Sequence, residues 1–163
     1  MTQPAGVDIR PYQPADREQV MALAPRLTEW TAPWREPTAV RAAVHGWIRD
    51  AVDGAPDQDH AVYVAVQGDT VAGVVTVGES THYTGQVDAY VGELAVATGM
   101  ERRGIATRLM TEAERWAAAR GRSFLTLHTG AANQPARRLY ASLGFREEDV
   151  RLTKALGTAG GQD

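Results

Sequence analysis

Between His60 and Ala97 the pattern is that of extended strands, read with a period of two; beyond Gly104 the repeat becomes helical. That change of period limits the chain to folds in which a sheet feeds directly into a packed helix. His60–Val66 and Val71–Val77 flank Gln67-Gly-Asp-Thr, which spells a β-hairpin, and Val87–Ala97 is a third extended run. Ile105, Leu109, Ala113, Trp116 and Ala117 then fall on one helical face that runs to about Arg120, with Gly121 placed to end it. A strand at Ser123–Thr129, a short helix at about Pro135–Leu143 and a last strand at Phe145–Leu156 complete this half. Upstream, the pattern predicts a strand at Val7–Pro11 and a helix capped by Asp16 that carries Val20, Leu23 and Leu27. A second helix spans about Pro37–Ala51, with Val40, Val44, Trp47 and Ile48 at helical spacing. The order β-α-α-β-β-β-α-β-α-β predicts an α/β (α+β) fold, a mixed central sheet with helices packed on it. One domain is expected over residues 7–156, with 1–6 and 157–163 as flexible tails.

Composition removes several classes of function. The 163 residues contain no cysteine, so a disulfide framework, a Cys-based zinc site and a thiol nucleophile are all excluded. His45, His60 and His82 share no metal-ligand spacing with carboxylates, and no metal is expected. With 17 Lys+Arg against 20 Asp+Glu, the net charge of −3 provides no basic field for nucleic acid. The opening Met1-Thr-Gln-Pro-Ala-Gly lacks the regions of a signal peptide, and no apolar run approaches the roughly 18 residues of a membrane span. A cytoplasmic protein without membrane partners is expected, and a homodimer is left open.

Chemistry concentrates where the third strand meets the long helix. Segment 101–122 holds six Arg and three Glu in a chain that is otherwise acidic. A helix start offers unpaired N–H groups and the positive end of its dipole, and glycine lets an anion approach the backbone. Gly104 with Ala106 therefore reads as a phosphate cradle. Further on, Asn133, Ala136, Tyr140, Gly144 and Phe145 stand at fixed spacing.

Glu101-Arg-Arg-Gly104-Ile-Ala106 and the later Asn133–Phe145 pattern together resemble the GNAT superfamily, the Gcn5-related N-acetyltransferases, whose element order is also similar over residues 7–156. The resemblance implies an acetyl-CoA-dependent transfer of an acetyl group to a small-molecule amine. It implies pyrophosphate binding by Arg102, Arg103, Gly104, Ile105, Ala106 and Thr107. Pantetheine contacts would come from Leu94, Ala95 and Val96, and further cofactor contacts from Asn133 and Tyr140. Tyr140 is the implied general acid toward the leaving sulfur; a phenol near pKa ~10 keeps its proton at neutral pH. Glu93, beside Leu94-Ala95-Val96, and His128, five residues before Asn133, are both candidates for the base, and Glu79 is a third. Trp30 and Trp34 lie in the connection that usually helps to build the acceptor pocket, with Trp47 in the helix beyond. Aromatic faces suit a cationic amine, and Asp50, Asp53, Asp57 and Asp59 would add a negative field. The plainer expectation for the tryptophans is that they anchor helices to the sheet. Glu101 stands where the motif usually has Gln or Arg. Its charge would repel a pyrophosphate unless turned away or paired with Arg102 or Arg103. The same fold also serves protein or peptide acetylation, and a non-catalytic acyl-CoA sensor is the reading from another class.

Overall fold

A computed structural model describes residues 6–54 and 59–157. The expected tails at 1–6 and 157–163 fall almost wholly outside the described residues. Five strands form one sheet in the order β1-β2-β3-β4-β5. They are β1 (Asp8–Pro11), β2 (Ala61–Gln67), β3 (Thr70–Thr81), β4 (Val87–Val96) and β5 (Leu125–Leu127). The first four run antiparallel, and β4 pairs with β5 in parallel. A parallel pair needs a long crossover, which α3 (Ile105–Ala119) supplies. The other helices are α1 (Arg17–Met21), α2 (Pro37–Asp53) and α4 (Gln134–Ser142). A 3-10 turn at Ala24–Thr28 leads from α1 toward α2.

The sheet is buried on both faces because its strands are apolar at successive positions. On one face α3 lays Ile105, Leu109, Met110, Ala113 and Trp116 against Ala72, Val75, Val77, Ala89 and Val91. On the other, Val20 of α1 and Val44, Ile48 and Val52 of α2 cover Val62, Val64, Val71, Val74 and Ala95. The period change at residue 97 thus becomes the boundary between a two-sided strand and the helix that covers one of its sides. The expected stop of α3 is in place, with the N–H of Gly121 on Ala118 O at 2.9 Å and that of Arg122 on Ala117 O at 3.0 Å.

Two expectations fail locally. The Asp16 carboxylate does not cap α1. It turns back to accept both guanidinium nitrogens of Arg10, at 2.7 and 2.8 Å, and the Gln13 N–H at 2.8 Å. This pairing holds its carboxyl below the usual carboxylate range, the Arg10 bonds contributing most. The last segment, Phe145–Leu156, forms no strand. Its alternation finds no apolar face to cover, and Val150 and Leu152 are 74% and 89% exposed. Neighbouring β5 is only three residues long and offers little edge for pairing. Glu147 pairs with Arg137 in this region instead, and Glu148 Oε1 lies 3.3 Å from His82 Nε2.

Candidate active site

A register shift in β4 organises the centre of the molecule. Val75 faces Leu94 while Val77 faces Val91, so Gly92 and Glu93 together oppose Thr76. Such a β-bulge changes the phase of the strand beyond it. Ala89 and Val91 before the bulge pack on the α3 side, and so do Leu94 and Val96 after it. Glu93 is thereby left on the α2 side with Ala95 and Thr76. Glycine at the position before it leaves room for Thr76: a Cβ at Gly92 would lie 2.8 Å from Thr76 Oγ1, so the threonine would have to shift. Thr76 Oγ1 accepts the Glu93 N–H at 2.9 Å, and its hydroxyl donates to Glu93 Oε2. Burial raises the Glu93 carboxyl above its usual range, while the Thr76 bond and nearby His60 oppose that rise.

A cavity of about 390 Å³ opens beside this carboxylate, and Asp59, His60, Thr76, Glu79, Tyr90 and Gly92 contribute to its walls. The Tyr90 hydroxyl and His128 Nδ1 are 3.1 Å apart, which brings the second base candidate to the same strand face. Burial first, and then the charge of Glu93, raise the Tyr90 phenol. Glu79 is different. Arg122 binds it through Nε at 2.8 Å and Nη2 at 2.7 Å, so it is an ion-paired carboxylate at the cavity wall. Thr76, His60 and Tyr90 were not singled out from the sequence for this site. The legible signal was a lone threonine inside Val-Val-Thr-Val, a polar residue with a reason to be there.

Beyond Val91 the sheet opens. Pairing of β4 with β5 is confined to Ala89–Val91 against Leu125–Leu127, so among the described residues Gly92–Val96 has no strand on that side. Ala97 sends its N–H to Ala72 O at 2.8 Å, toward β3. Alternation then turns the N–H and C=O of Leu94 and Val96 to the open edge.

This edge leads into the turn before α3. Arg102 and Gly104 have φ of +60° and +74°, and Arg103 between them does not share the sign. Left-handed residues alternating with right-handed ones point successive N–H groups into one concavity, a form of backbone that binds anions. Gly104 is the N-cap of α3 and provides no side-chain cap; the N–H of Arg108 is bonded to Gly104 O at 3.0 Å. Ile105, Ala106 and Thr107 occupy the first turn, whose N–H groups lack partners within a helix. The sequence-identified cradle is therefore an uncapped helix start with a concave approach. Glu101 does not face it. Its oxygens accept from Gly99 N–H and from Arg26 Nη2, both at 2.7 Å. Its own N–H, that of Gly99, and the charges of Arg26 and Arg102 hold its carboxyl low, against a smaller effect of desolvation. The main partner is Arg26, not the Arg102 or Arg103 that proximity in sequence suggested.

Asn133 is the N-cap of α4, with Oδ1 accepting the Ala136 N–H at 3.2 Å. Two turns on, Tyr140 packs against the α3-side core, its ring edge-on to Phe145 at 5.6 Å. Burial pushes its phenol up to about 12. Glu93 and Tyr140 therefore belong to opposite faces of the sheet, with the open edge of β4 between those faces. Trp30 and Trp34 are 43% and 64% exposed, and Trp47 is exposed too, so none of the three is a buried anchor. Trp116 is the tryptophan that fills the core. Of the acidic residues, Asp53 pairs with Arg17 and Asp50 with Arg49, while Asp59 lines the cavity. Asp57 lies outside the described residues. Among those residues no group of His and carboxylates is arranged to hold a metal, and no helix is long and apolar enough to cross a membrane.

Comparison with known proteins adds to this geometry. Residues 23–145 match the family described as Acetyltransferase (GNAT) family. The chain is 32% identical over 132 residues to dTDP-fucosamine acetyltransferase of Escherichia coli O6:H1, a match covering 81% of this chain and 54% of that protein. It thus spans about half the length of this curated relative. A GCN5-related N-acetyltransferase from Ralstonia eutropha JMP134 superposes with a TM-score of 0.71 at 22% identity, covering 93% of this chain and 99% of the other. Aminoglycoside N-acetyltransferase AAC(6')-Iy, solved in complex with CoA, superposes with a TM-score of 0.69 at 18% identity over 95% and 98%. At these identities the two structures establish a shared fold.

Proposed function

The chain belongs to the acetyltransferase (GNAT) family, and from that premise we propose that it transfers the acetyl group of acetyl-CoA to a primary amine of a small molecule by direct attack. The observation that carries this reading is the open edge of β4, which leads from the anion-binding turn before α3 to the cavity beside Glu93. The residues present fit the co-substrate. A pyrophosphate suits the N–H groups of Ile105–Thr107 with Arg102 and Arg103 nearby, and a pantetheine arm suits the N–H groups of Leu94 and Val96 and the Leu94 carbonyl on the open edge. Asn133, already engaged as a cap through Oδ1, keeps its amide nitrogen for the cofactor. The acetyl thioester is the acyl donor that acetyl-CoA brings.

The protein's residues divide the remaining work between the two faces. On the α2 side, Asp59 in the cavity wall and Glu93 behind Thr76 add acidic character that favours an ammonium ion. Glu93 removes the ammonium proton, directly or through one water. Its raised carboxyl is closer to the operating pH than an ordinary glutamate, as general-base catalysis requires. The neutral nitrogen then attacks the thioester carbon. A backbone N–H on the open edge, that of Leu94 or Val96, donates to the carbonyl oxygen as negative charge builds there. On the α3 side the Tyr140 hydroxyl donates to the sulfur as the carbon–sulfur bond breaks. With its phenol near 12 and a thiol ordinarily near ~8.5, complete transfer would be uphill. Tyr140 therefore acts as a hydrogen-bond donor to the developing thiolate and keeps its proton, while the second proton of the attacking nitrogen leaves as the intermediate collapses, to the sulfur or to water. Sugar amines and aminoglycosides are acceptors suggested by the names of the relatives, and they fit an acidic cavity.

The test is a panel of amino sugars, aminoglycosides and polyamines, read by CoA thiol release and by the mass of the acetylated product. Release coupled to an acetylated amine supports the reading. CoA binding without turnover on any amine in the panel would favour an acyl-CoA sensor instead.

A further inference from the structure

Arg26 has no part in the chemistry above, yet it touches three elements around it. From the 3-10 turn Ala24–Thr28 its Nε donates to Val96 O, the last carbonyl of β4, at 2.9 Å. Nη2 donates to Glu101 Oε1 at 2.7 Å, and Nη1 is bound to Glu29. The other oxygen of Glu101 accepts the Gly99 N–H at 2.7 Å. One guanidinium thus ties the end of β4 to the turn that follows it. That turn contains Arg102, the one non-glycine residue with positive φ among the described residues. A side chain in the left-handed region is unfavourable and persists where its surroundings fix the backbone. Four residues beyond Arg26, the carbonyl of Trp30 lies so close to Gly130 that a Cβ there would approach it to 2.5 Å. The segment from Arg26 to Trp30 consequently bridges the end of β4 and the loop after β5, the two sides of the opening.

We propose that Arg26 and Glu101 form a positioning pair that sets the 99–104 turn for the pyrophosphate of CoA. The acidic residue in the motif then assists binding by shaping the backbone, although its charge alone would oppose it. The inference rests on the reading that acetyl-CoA binds at this turn. It deepens that reading by giving Glu101 a role opposite to the one its charge suggests.

Calorimetric titration with CoA tests it on the full chain. Arg26→Met and Glu101→Ala should each weaken binding by about fivefold, and the double variant should be little worse than either, as for partners in one interaction. Glu101→Gln, which can still accept one of the two bonds and donate elsewhere, should recover part of the loss. In steady state the acetyl-CoA KM should rise by more than turnover falls. The exchanged pair Arg26→Glu with Glu101→Arg should bind more tightly than Arg26→Glu alone. Binding by Glu101→Ala that equals or exceeds the parent would overturn the proposal, above all if the gain shrinks with salt, since screening marks simple repulsion. The two readings fail differently. A parent protein that does not bind CoA removes the cofactor site itself, whereas a parent that binds, with Glu101→Ala unaffected, removes the positioning pair alone.

Discussion

The turn proposed for the cofactor and the cavity proposed for the acceptor sit at opposite ends of one open strand edge, and they are built in opposite ways. The turn is local: residues 99–107 contribute its left-handed backbone and its uncapped amides, with Arg26 bracing it from outside. The cavity is assembled from the start of β2, the end of β3 and the bulged middle of β4, residues 59–92, with His128 added from beyond β5 through Tyr90. A backbone cradle binds whatever carries the right anion, so it suits a common co-substrate. Side chains gathered from several strands can each change independently, which suits a variable acceptor. The difference teaches that a local backbone site and a site gathered from several strands can be altered separately.

The sharpest way to separate the two ends is to disable the chemistry between them. Tyr140→Phe removes only a hydroxyl from a packed ring, and single-turnover rates should fall by at least ~10²-fold, the lower range for general acid–base groups. CoA affinity and stability should change little. A normal single-turnover rate would remove this donor from the mechanism, and measuring that rate keeps product release from hiding the effect.

Gly104→Val strikes the turn alone. Its φ of +74° penalises any side chain, with a further penalty for β-branching, and the Cβ would occupy the approach to the amides. CoA affinity should fall by more than about tenfold, in line with the ~1–2 kcal/mol cost of a left-handed L-residue. The amine KM should move far less. Equal losses for both substrates would break the comparison, since they would mean that the ends are not separable.

Glu93 and Thr76 probe the other end through pH. The Glu93 carboxyl is raised above 4.5, chiefly by burial. The acidic limb of turnover should therefore lie above the ordinary carboxylate range and disappear in Glu93→Gln. Thr76→Val deletes a hydrogen bond that favours the charged form, so the limb should move to higher pH. Loss of the limb in His128→Gln but not in Glu93→Gln would transfer the role of base to His128. Stability follows the same group. A carboxyl raised in the folded state contributes stability that is fully present below its unfolded value of 4.5 and is lost as pH rises through its folded value. Urea midpoints measured across that window should fall with pH in the parent and fall less in Glu93→Gln.

The smallest effect is expected at Trp34. At 64% exposure it has a free face for a cationic acceptor, and exposed cation–π contacts contribute about 0.5–1 kcal/mol. Trp34→Ala should raise the amine KM by roughly two- to fivefold and leave CoA binding alone. No change in either KM would assign Trp34 to the surface.

These two regions also differ in how far they could be read before the fold was known. Gly104, Ala106, Asn133 and Tyr140 are recognisable because a phosphate cradle and a helix cap each need particular residue types at short spacing. The helical face of α3 was legible for a similar reason, since every one of its contacts with the sheet follows a 3.6-residue repeat. Phe145–Leu156 shows the limit: alternation makes a segment competent to be a strand, but pairing needs an edge, and β5 provides only three residues of it.

What the sequence determined alone is whatever depends on neighbours within about one helical turn: the element order as far as α4, the helix start at Gly104, the stop of α3 and the spacing from Asn133 to Tyr140. What only the tertiary structure decided is whatever depends on register between strands. The bulge opposite Thr76 sets Glu93 on the α2 face and Leu94 on the α3 face, a division that no local pattern reports, because a shift of one residue exchanges the faces of a strand. The orientation of Glu101 was decided likewise. Its partner is 75 residues away in the chain, brought within 2.7 Å by the packing of the Ala24–Thr28 turn against the end of β4.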